Sequence, residues 1–249
     1  MTGVMIVTGA GRGIGAAIAL HAGRNGYKVC VNYSRSREKA EAIAATIASA
    51  GGQAIAVQAD MASEDDIVRM FREIDGALGR VTALVNNAGI DVPTRNVEDV
   101  RLDDLQRIFA VNVFGVLLCS REAIRRMSPE KGGQGGAIVH ISSRASGHGN
   151  LVGEVPYTAT KGALDGMTLV MAKEVAKQNI RVNCIRPGLI LTDIFERSGG
   201  REALKERAKT SVPIGRPGEP DEIAAAAVWL CSKEASYVTG AILDVGGGR

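Results

Sequence analysis

Short runs rich in valine and isoleucine alternate along the chain with longer alanine-rich stretches whose apolar positions recur at helical spacing. This alternation is typical of βαβ units, in which helices connect parallel strands. We therefore predict an α/β Rossmann fold, a doubly wound seven-stranded parallel sheet with helices on both faces, as a single domain over residues 1–249. The predicted strands are Val4–Thr8, Lys28–Tyr33, Gln53–Gln58, Ala83–Asn86, Ala137–Ser142, Arg181–Arg186 and Ala241–Val245.

Six helical stretches fill the gaps between these strands. Two segments interrupt the rhythm: the glycine-rich run 131–136 predicts a flexible loop, and the amphipathic run Arg201–Lys209 predicts a mobile lid within a substrate loop at about 188–212. The predicted helices are Gly13–Asn25, Arg37–Ala50, Glu64–Leu78, Asp103–Met127, Tyr157–Gln178 and Asp221–Cys231.

Composition narrows the class of protein. The chain is 45% hydrophobic and 23% charged with a formal net charge of +3, near globular averages. It has no long block of like charge and no apolar run of the roughly 20 residues that span a bilayer, so we expect neither a nucleic-acid nor a membrane partner. The apolar start Gly3–Val7 is too short for a signal peptide, which favours a cytoplasmic protein. The four cysteines lack CxxC spacing and are interpreted as reduced core thiols, and no metal site is predicted.

A glycine-rich turn, TGAGRGIG from Thr8 to Gly15, follows the first predicted strand and opens the first helix. Without Cβ atoms, such a turn brings backbone N–H groups close to a pyrophosphate at a helix N-terminus, where the helix dipole favours anions. The spacing is Gly9-x-x-x-Gly13-x-Gly15 rather than GxGxxG, so a purely structural βα turn stays an alternative.

Tyr157 and Lys161 lie four residues apart on a predicted helix, which places the phenol and the ammonium on one face. A tyrosine titrates near 10, so acid/base chemistry near neutrality requires a pKa roughly 2 to 3 pH units lower, and a cation about 5 Å away supplies roughly 3 kcal/mol. We therefore expect Lys161 to lower the pKa of Tyr157. Ser143 follows the strand Ala137–Ser142, at the sheet edge where ligands bind, and can donate a hydrogen bond to a carbonyl oxygen. Taken singly, Tyr157 is more simply interpreted as a helix-start aromatic and Ser143 as a turn residue, but their joint occurrence favours a catalytic site.

The end of the second predicted strand, Val31–Arg37, lacks the carboxylate that binds the adenosine ribose in NAD-specific folds. Ser34, Arg35 and Ser36 stand there instead, and Arg12 approaches from the glycine turn. Because a guanidinium group suits bidentate contact with a phosphate, we predict that Arg12 and Arg35 bind a 2′-phosphate from two sides, as a phosphate clamp. The predicted cofactor is therefore NADP(H) rather than NAD(H). The alternative is that Arg35 and Arg37 simply face solvent at the start of a helix, which is the interpretation adopted for Arg37.

Together these motifs resemble the short-chain dehydrogenase/reductase superfamily from Met5 to the C-terminus, and within it the 3-oxoacyl-carrier-protein reductase and glucose-dehydrogenase-like group. One departure lies in Asp244–Gly248, where the group more often has an aspartate just before paired glycines. The resemblance implies catalytic roles for Asn112, Ser143, Tyr157 and Lys161. Its cofactor-binding positions are Gly9, Gly11, Arg12, Gly13, Ile14, Ser34, Arg35, Ser36, Asp60, Met61, Asn87, Ala88, Gly89, Tyr157, Lys161, Pro187, Gly188, Ile190 and Thr192.

The resemblance also implies a mechanism. Tyr157 exchanges a proton with the substrate oxygen during hydride transfer, Lys161 lowers its pKa and hydrogen-bonds the nicotinamide ribose, Ser143 fixes the substrate oxygen, and Asn112 holds a water next to Lys161. The substrate is a small carbonyl compound or secondary alcohol, and the family expectation is a homotetramer that pairs the helices Asp103–Met127 and Tyr157–Gln178.

Three alternatives stay open: a catalytically silent NADP-binding sensor or scaffold, an NAD-dependent sugar or alcohol dehydrogenase, and a Rossmann-like methyltransferase. The last would leave the tyrosine and lysine unexplained. Among the remaining polar residues, His140 is interpreted as structural, whereas Arg144, His148 and Glu154 are candidates for substrate contact or for simple solvation.

Overall fold

The computed structural model describes residues 3–92, 96–149, 153–192 and 200–249. Its seven strands form one parallel sheet in the order β3-β2-β1-β4-β5-β6-β7, which confirms the predicted fold class. The strands are β1 (Val4–Val7), β2 (Lys28–Tyr33), β3 (Ala54–Gln58), β4 (Val81–Asn86), β5 (Gly136–Ile141), β6 (Ile180–Pro187) and β7 (Ile242–Val245).

Helices connect these strands and cover both faces of the sheet. They are α1 (Gly13–Arg24), α2 (Arg37–Ser49), α3 (Glu64–Ala77), α4 (Leu102–Phe109), α5 (Gly115–Met127), α6 (Ala145–His148), α7 (Val155–Val175), α8 (Gly200–Ser211) and α9 (Pro220–Cys231). In the described ranges, none of them is long and apolar enough to cross a membrane.

Alternation of side chains along the strands divides the core into two layers. Met5 and Val7 of β1 pack with α1, α2 and α9 on one face of the sheet. Val4 and Ile6 pack with α3, α5 and α7 on the other face. Both faces of each central strand are therefore buried, which explains their continuous apolar runs.

The chain reverses its direction of winding at β1, which pairs with β2 on one side and β4 on the other. The carboxyl ends of β1 and β4 therefore open a crevice between the helices that follow them, the usual ligand position in a doubly wound sheet. The residues at these strand ends build the site described below.

Several element boundaries differ from the sequence predictions. The predicted helix Asp103–Met127 consists of α4 and α5 joined by a π-helical segment, Ala110–Phe114. The last turn of the predicted helix Tyr157–Gln178 is a 3₁₀ turn at Ala176–Gln178. The short helix α6 lies where a loop was expected. The lid segment is helical over α8, and the part of the substrate loop at 193–199 lies outside the described residues.

Candidate active site

The glycine turn leaves the N-terminus of α1 open for an anion. Gly9 and Gly13 have positive φ angles of 63° and 55°, which side chains other than glycine rarely adopt. A Cβ atom at Gly15 would lie 2.5 Å from the Gly9 carbonyl oxygen, so the turn also needs a glycine where helix and turn touch. No side chain caps α1 at Arg12. The N–H groups of its first turn are therefore available to a phosphate.

Two buried polar residues hold this turn in place, and sequence reasoning assigned neither of them a role. The Asn32 side chain accepts a hydrogen bond from the Gly9 N–H at 3.1 Å. The Thr8 hydroxyl accepts from the N–H groups of Asn87 and Ala88 at 3.0 and 2.9 Å, which ties the end of β1 to the end of β4. A buried asparagine inside an apolar strand was the signal available, since such a group requires a partner.

The residues of the predicted phosphate clamp lie at the edge of the same crevice. Arg12, Ser34, Arg35 and Ser36 are exposed. The glycine turn lies beside the start of α2, because a Cβ at Gly11 would be 3.7 Å from the Ser36 carbonyl oxygen. Within the described ranges, Arg12 and Arg35 make no ion pair.

Arg37, interpreted as a solvent-facing residue, pairs with Glu41 on the next turn of α2 at 3.7 Å. The charge of Arg37 is therefore paired within α2. Lys39 of α2 also lies beside the glycine turn. Its Cβ is 3.8 Å from the position of a Cβ atom added at Gly11.

Lys161 is buried in the first turns of α7, and its ammonium donates a hydrogen bond to the Ile141 carbonyl at the end of β5 at 2.9 Å. Burial lowers the pKa of Lys161 to about 8, against the opposing influence of Cys184 and Asp165. A Cβ at Gly89 would lie 3.5 Å from the ammonium nitrogen. The segment Asn86–Gly89 after β4 therefore ends next to Lys161.

Tyr157 lies one turn before Lys161, with the ammonium nitrogen 5.6 Å from the centre of its ring. Burial raises the pKa of Tyr157 to about 12, the Ser143 hydroxyl lowers it through a hydrogen bond, and Asp91 and Glu154 raise it. The net pKa shift of Tyr157 is therefore upward in the protein by itself, because desolvation of the phenolate is the largest influence. That Lys161 lowers this pKa stays a prediction.

The influence of the Ser143 hydroxyl on the pKa of Tyr157 places these two side chains near each other. Their catalytic roles stay predictions. The Ser143 hydroxyl also accepts from the Ala145 N–H at 3.1 Å, at the start of α6. The neighbouring Ser142 is buried and donates to the Lys161 carbonyl at 3.0 Å. These two bonds join the end of β5 to α6 and α7 and orient the serine toward the tyrosine.

Asn112 lies in the π-helical segment, a feature often found at functional sites. Its side chain accepts from the Ile90 N–H and donates to the Ile90 carbonyl, both at 2.8 Å, and donates to the Thr160 hydroxyl at 3.2 Å. Thr160 in turn donates to the Tyr157 carbonyl at 2.7 Å. Asn112 therefore links the loop after β4 to the catalytic turn of α7, and its predicted hold on a water stays a prediction.

The residues predicted at the nicotinamide end lie after β6. A Cβ at Gly188 would be 2.7 Å from the Cα of Gly246, so only glycine fits there. Ile190 forms an isolated β-bridge with Gly218. Buried Thr192 lies against Gly13, where an added Cβ atom would be 3.4 Å from the Thr192 Cγ2 atom. The segment Pro187–Thr192 after β6 therefore borders the glycine turn, as binding of one cofactor by both segments would require.

At the adenine end, Asp60 and Met61 follow β3. One Asp60 carboxylate oxygen accepts from the Ala62 N–H at 3.0 Å, which shapes the turn before α3. Met61 is buried, with its sulfur 3.5 Å from that of Cys119. The side chain of Met61 thus packs in the core, and its predicted place at the adenine stays a prediction.

A chain of ion pairs runs behind the catalytic residues. Arg186 of β6 donates to the Asp165 carboxylate of α7 at 2.7 and 3.1 Å. Arg144, next to Ser143, donates to Asp244 of β7. Arg186 lies 3.9 Å from the same Asp244, so one continuous charged network joins α7, β6 and β7 to the catalytic serine loop.

The two histidines near the site differ in environment. His140 is fully buried on β5, with its Nδ1 3.0 Å from the Thr168 hydroxyl, and burial lowers its pKa to about 4. His148 is exposed at the end of α6. The structural interpretation of His140 agrees with this burial.

The glycine turn at the N-terminus of α1 and the predicted catalytic residues Ser143, Tyr157 and Lys161 thus lie at the carboxyl edge of one doubly wound sheet. A family model described as Enoyl-(Acyl carrier protein) reductase matches residues 9–249. An uncharacterized oxidoreductase of Escherichia coli, YgfF, is 45% identical over 99% of both chains. The 3-oxoacyl-[acyl-carrier-protein] reductase FabG of Staphylococcus aureus is 37% identical over 100% of this chain and 98% of its own length.

Solved structures agree with these relatives. A short-chain dehydrogenase/reductase from Serratia marcescens superposes with a TM-score of 0.90 at 36% identity, covering 99% of this chain and 97% of its own. A short-chain dehydrogenase from Burkholderia cenocepacia in complex with NADP gives 0.89 at 33% identity and the same coverage. The chain belongs to the short-chain dehydrogenase/reductase superfamily of oxidoreductases.

Proposed function

We propose that the protein is an NADP-dependent oxidoreductase that interconverts a carbonyl and a secondary alcohol at Ser143, Tyr157 and Lys161. The observation that carries this proposal is the position of the Tyr157 phenol one helical turn before buried Lys161, whose ammonium nitrogen lies 5.6 Å from the centre of the ring. A silent NADP-binding protein would not require this arrangement. The relatives named as reductases support the same reaction class.

The crevice fits a dinucleotide with a 2′-phosphate. The uncapped N-terminus of α1 offers N–H groups to the pyrophosphate, and Gly9, Gly13 and Gly15 leave space that side chains would fill. Arg12 in the glycine turn and Arg35 after β2 are exposed and have no ion-pair partner in the described ranges, so a phosphate can neutralise them. The relative from Burkholderia cenocepacia is in complex with NADP.

When bound, the nicotinamide supplies or accepts the hydride. With a pKa of about 12, Tyr157 carries its proton at neutral pH, which is the form that can protonate a carbonyl oxygen during reduction. Ser143 donates to the same oxygen and stabilises its developing charge. Lys161, with a pKa of about 8, is mostly protonated at neutral pH and places a positive charge beside the phenol.

Replacing Tyr157 with phenylalanine tests this proposal. Turnover followed by NADPH absorbance across sugars, acyl thioesters, ketosteroids and diketones should fall by about two to four orders of magnitude, because general acid catalysis contributes roughly that much. NADPH binding, measured by fluorescence titration, should persist. Tyr237→Phe is the matched control, since Tyr237 is fully exposed. Equal turnover in Tyr157→Phe and Tyr237→Phe would exclude the mechanism, and tight NADPH binding without turnover on any compound in the wild type would favour the silent sensor.

The proposal includes a homotetramer. Phe114 and Leu117, where the π segment meets α5, and Leu169 and Val170 of α7 are large apolar side chains with 45 to 64% of their surface exposed. Pairing of these helices between copies would cover them. Sedimentation equilibrium should give the mass of four chains, and Val170→Glu should give a smaller species. A monomeric mass for the wild type would contradict this arrangement.

A further inference from the structure

The loop that carries Ser143 is anchored to β6 on both sides of the serine. The Ser142 N–H donates to the Ile185 carbonyl at 2.8 Å, and the Arg144 N–H donates to the Pro187 carbonyl at 3.0 Å. These two bonds continue the pairing of β5 with β6 past the end of β5. Beyond them the chain leaves the sheet and enters α6, so the side chain of Arg144 stands where the loop turns away from β6.

This side chain connects the serine loop to β7 and to the segment Gly246–Arg249 that follows it. The Arg144 Nε donates to the Arg249 carbonyl oxygen at 2.6 Å, and its Nη1 donates to the Asp244 carboxylate. A Cβ added at Gly246 would lie 3.2 Å from the Arg144 Cγ, so the glycine leaves space for the apolar stem. Only 18% of the side-chain surface of Arg144 is exposed. The guanidinium group is therefore committed to partners within the chain.

Asp244 reaches Arg144 because of its register on β7. In the sheet, Asp244 lies opposite Arg186 of β6. Side chains alternate between the two faces along a strand, so an aspartate directly before the glycines, at Val245, would point to the opposite face. The departure from the usual motif in Asp244–Gly248 therefore places a carboxylate on the face where the serine loop needs one.

The carboxylate of Asp244 is shared by two arginines. Its second oxygen lies 3.9 Å from the Arg186 Nη1, and Arg186 also donates to Asp165 of α7 at 2.7 Å. A Cβ added at Gly147 would lie 3.1 Å from the Arg186 Nη1 and 3.5 Å from the Arg144 Nη1, so both guanidinium groups border the same glycine of α6. Without Asp244, two largely buried positive charges would repel each other, and Arg144 would lose its place.

The position of the Ser143 hydroxyl depends on this loop. The hydroxyl accepts from the Ala145 N–H at 3.1 Å, and the Ser146 hydroxyl donates to the Ser143 carbonyl at 2.7 Å. These bonds lie within the loop and α6 and move with them, whereas the Arg144 side chain ties the loop to a separate strand. A displacement of about 1 Å in a catalytic group can cost roughly a hundredfold in rate.

We propose that Arg144 and Asp244 are positioning residues whose ion pair holds the loop of Ser143 against β7 and so keeps the serine hydroxyl at the substrate oxygen. Arg186 and the Arg249 carbonyl complete this hold. Arg144 acts through Ser143 and not through contact with the substrate. The inference rests on the proposed function, since the role of Ser143 belongs to it.

Two single variants test the inference by turnover at saturating NADPH. Arg144→Met keeps the stem over Gly246 and removes the guanidinium group, and Asp244→Asn removes the charge at nearly constant volume. Each should lower kcat about tenfold to a hundredfold on the panel compound that the wild type reduces fastest, and should keep the wild-type affinity for NADPH. Arg144→Lys should retain more turnover than Arg144→Met, because an ammonium can still pair with Asp244. Arg101→Met is the matched control, since its ion pair with Asp103 is exposed, and it should keep the wild-type kcat.

A Ser143→Ala background shows whether the effect passes through the serine. Arg144→Met should lower kcat no further in that background, because the group that it positions has been removed. A substrate contact by Arg144, or a general loss of stability, would act in both backgrounds. An equal loss of kcat in the presence and absence of Ser143 would therefore overturn the inference.

Hydrogen exchange followed by mass spectrometry separates this inference from the proposed function, because it requires no substrate. Peptides over 142–149 should exchange about tenfold faster in Arg144→Met and Asp244→Asn, whereas β1 and β4 should keep the wild-type rates. Unchanged exchange over 142–149, or an equal increase along the whole chain, would overturn the inference. Faster exchange confined to this loop, without turnover of any carbonyl compound by the wild type, would support the hold on the loop and count against the proposed function alone.

Discussion

Mild acidification should destabilise the folded protein through His140. The imidazole is completely buried, and its Nδ1 lies 3.0 Å from the Thr168 hydroxyl. That hydroxyl donates its own proton to the Leu164 carbonyl at 2.8 Å, so it can accept the Nδ1–H of the neutral ring. Burial, with a contribution from Lys161, lowers the pKa of His140 to about 4 against the opposing influence of Leu164 and Asp165.

The magnitude follows from the difference between the folded and unfolded states. An unfolded histidine titrates near 6.5, so between about pH 6.5 and 4 the unfolded chain binds a proton that the folded protein does not. The stabilising contribution is complete above that range and is lost as the pH falls. Each pH unit of acidification in this range lowers the free energy of unfolding by about 1.4 kcal/mol, so the loss is roughly 2 to 3 kcal/mol by pH 4.5.

Urea unfolding between pH 7.5 and 4.5 measures this effect, with the fluorescence of Trp229, the single tryptophan, as the signal. His140→Asn should be less stable than the wild type at pH 7.5, because it loses packing in a filled core. The difference between the two proteins should shrink by about 2 kcal/mol at pH 4.5, since the variant lacks the titrating ring while the carboxylates are common to both. Parallel stability curves over this range would refute the reasoning.

Two further predictions concern the cofactor crevice. Arg35→Glu should raise the KM for NADPH about tenfold or more with little change for NADH, because it replaces a phosphate-binding charge with a repulsive one. Arg37→Glu is the control, since Arg37 already pairs within α2. Equal effects of Arg35→Glu on the KM of both cofactors would exclude the clamp. Gly15→Ala should weaken dinucleotide binding and cost roughly 1 to 3 kcal/mol in urea unfolding, because its Cβ would lie 2.5 Å from a backbone oxygen. Gly166→Ala, a helical glycine with no atom within 4 Å, should be neutral or slightly stabilising, and similar losses in the two glycine variants would contradict the close-approach argument.

Much of the architecture could be predicted from local pattern alone. The seven apolar runs became the seven strands, the glycine turn follows the first strand, and Tyr157 and Lys161 lie one turn apart on a helix, as predicted. The reason is that side-chain periodicity and turn chemistry act over a few neighbouring residues. Helix ends were less accurate, because the π segment at Ala110–Phe114 and the start of α7 depend on packing against other elements.

The sequence by itself determined the fold class and which residue types stand at the crevice. Only the tertiary structure decided how these residues behave: burial raises rather than lowers the pKa of Tyr157, and Asn32 supports the glycine turn from a neighbouring strand. It also joined Arg249 to the loop of the catalytic serine through the Arg144 side chain. Desolvation and contacts between distant parts of the chain exist only once the layers have packed, so no local pattern carries them.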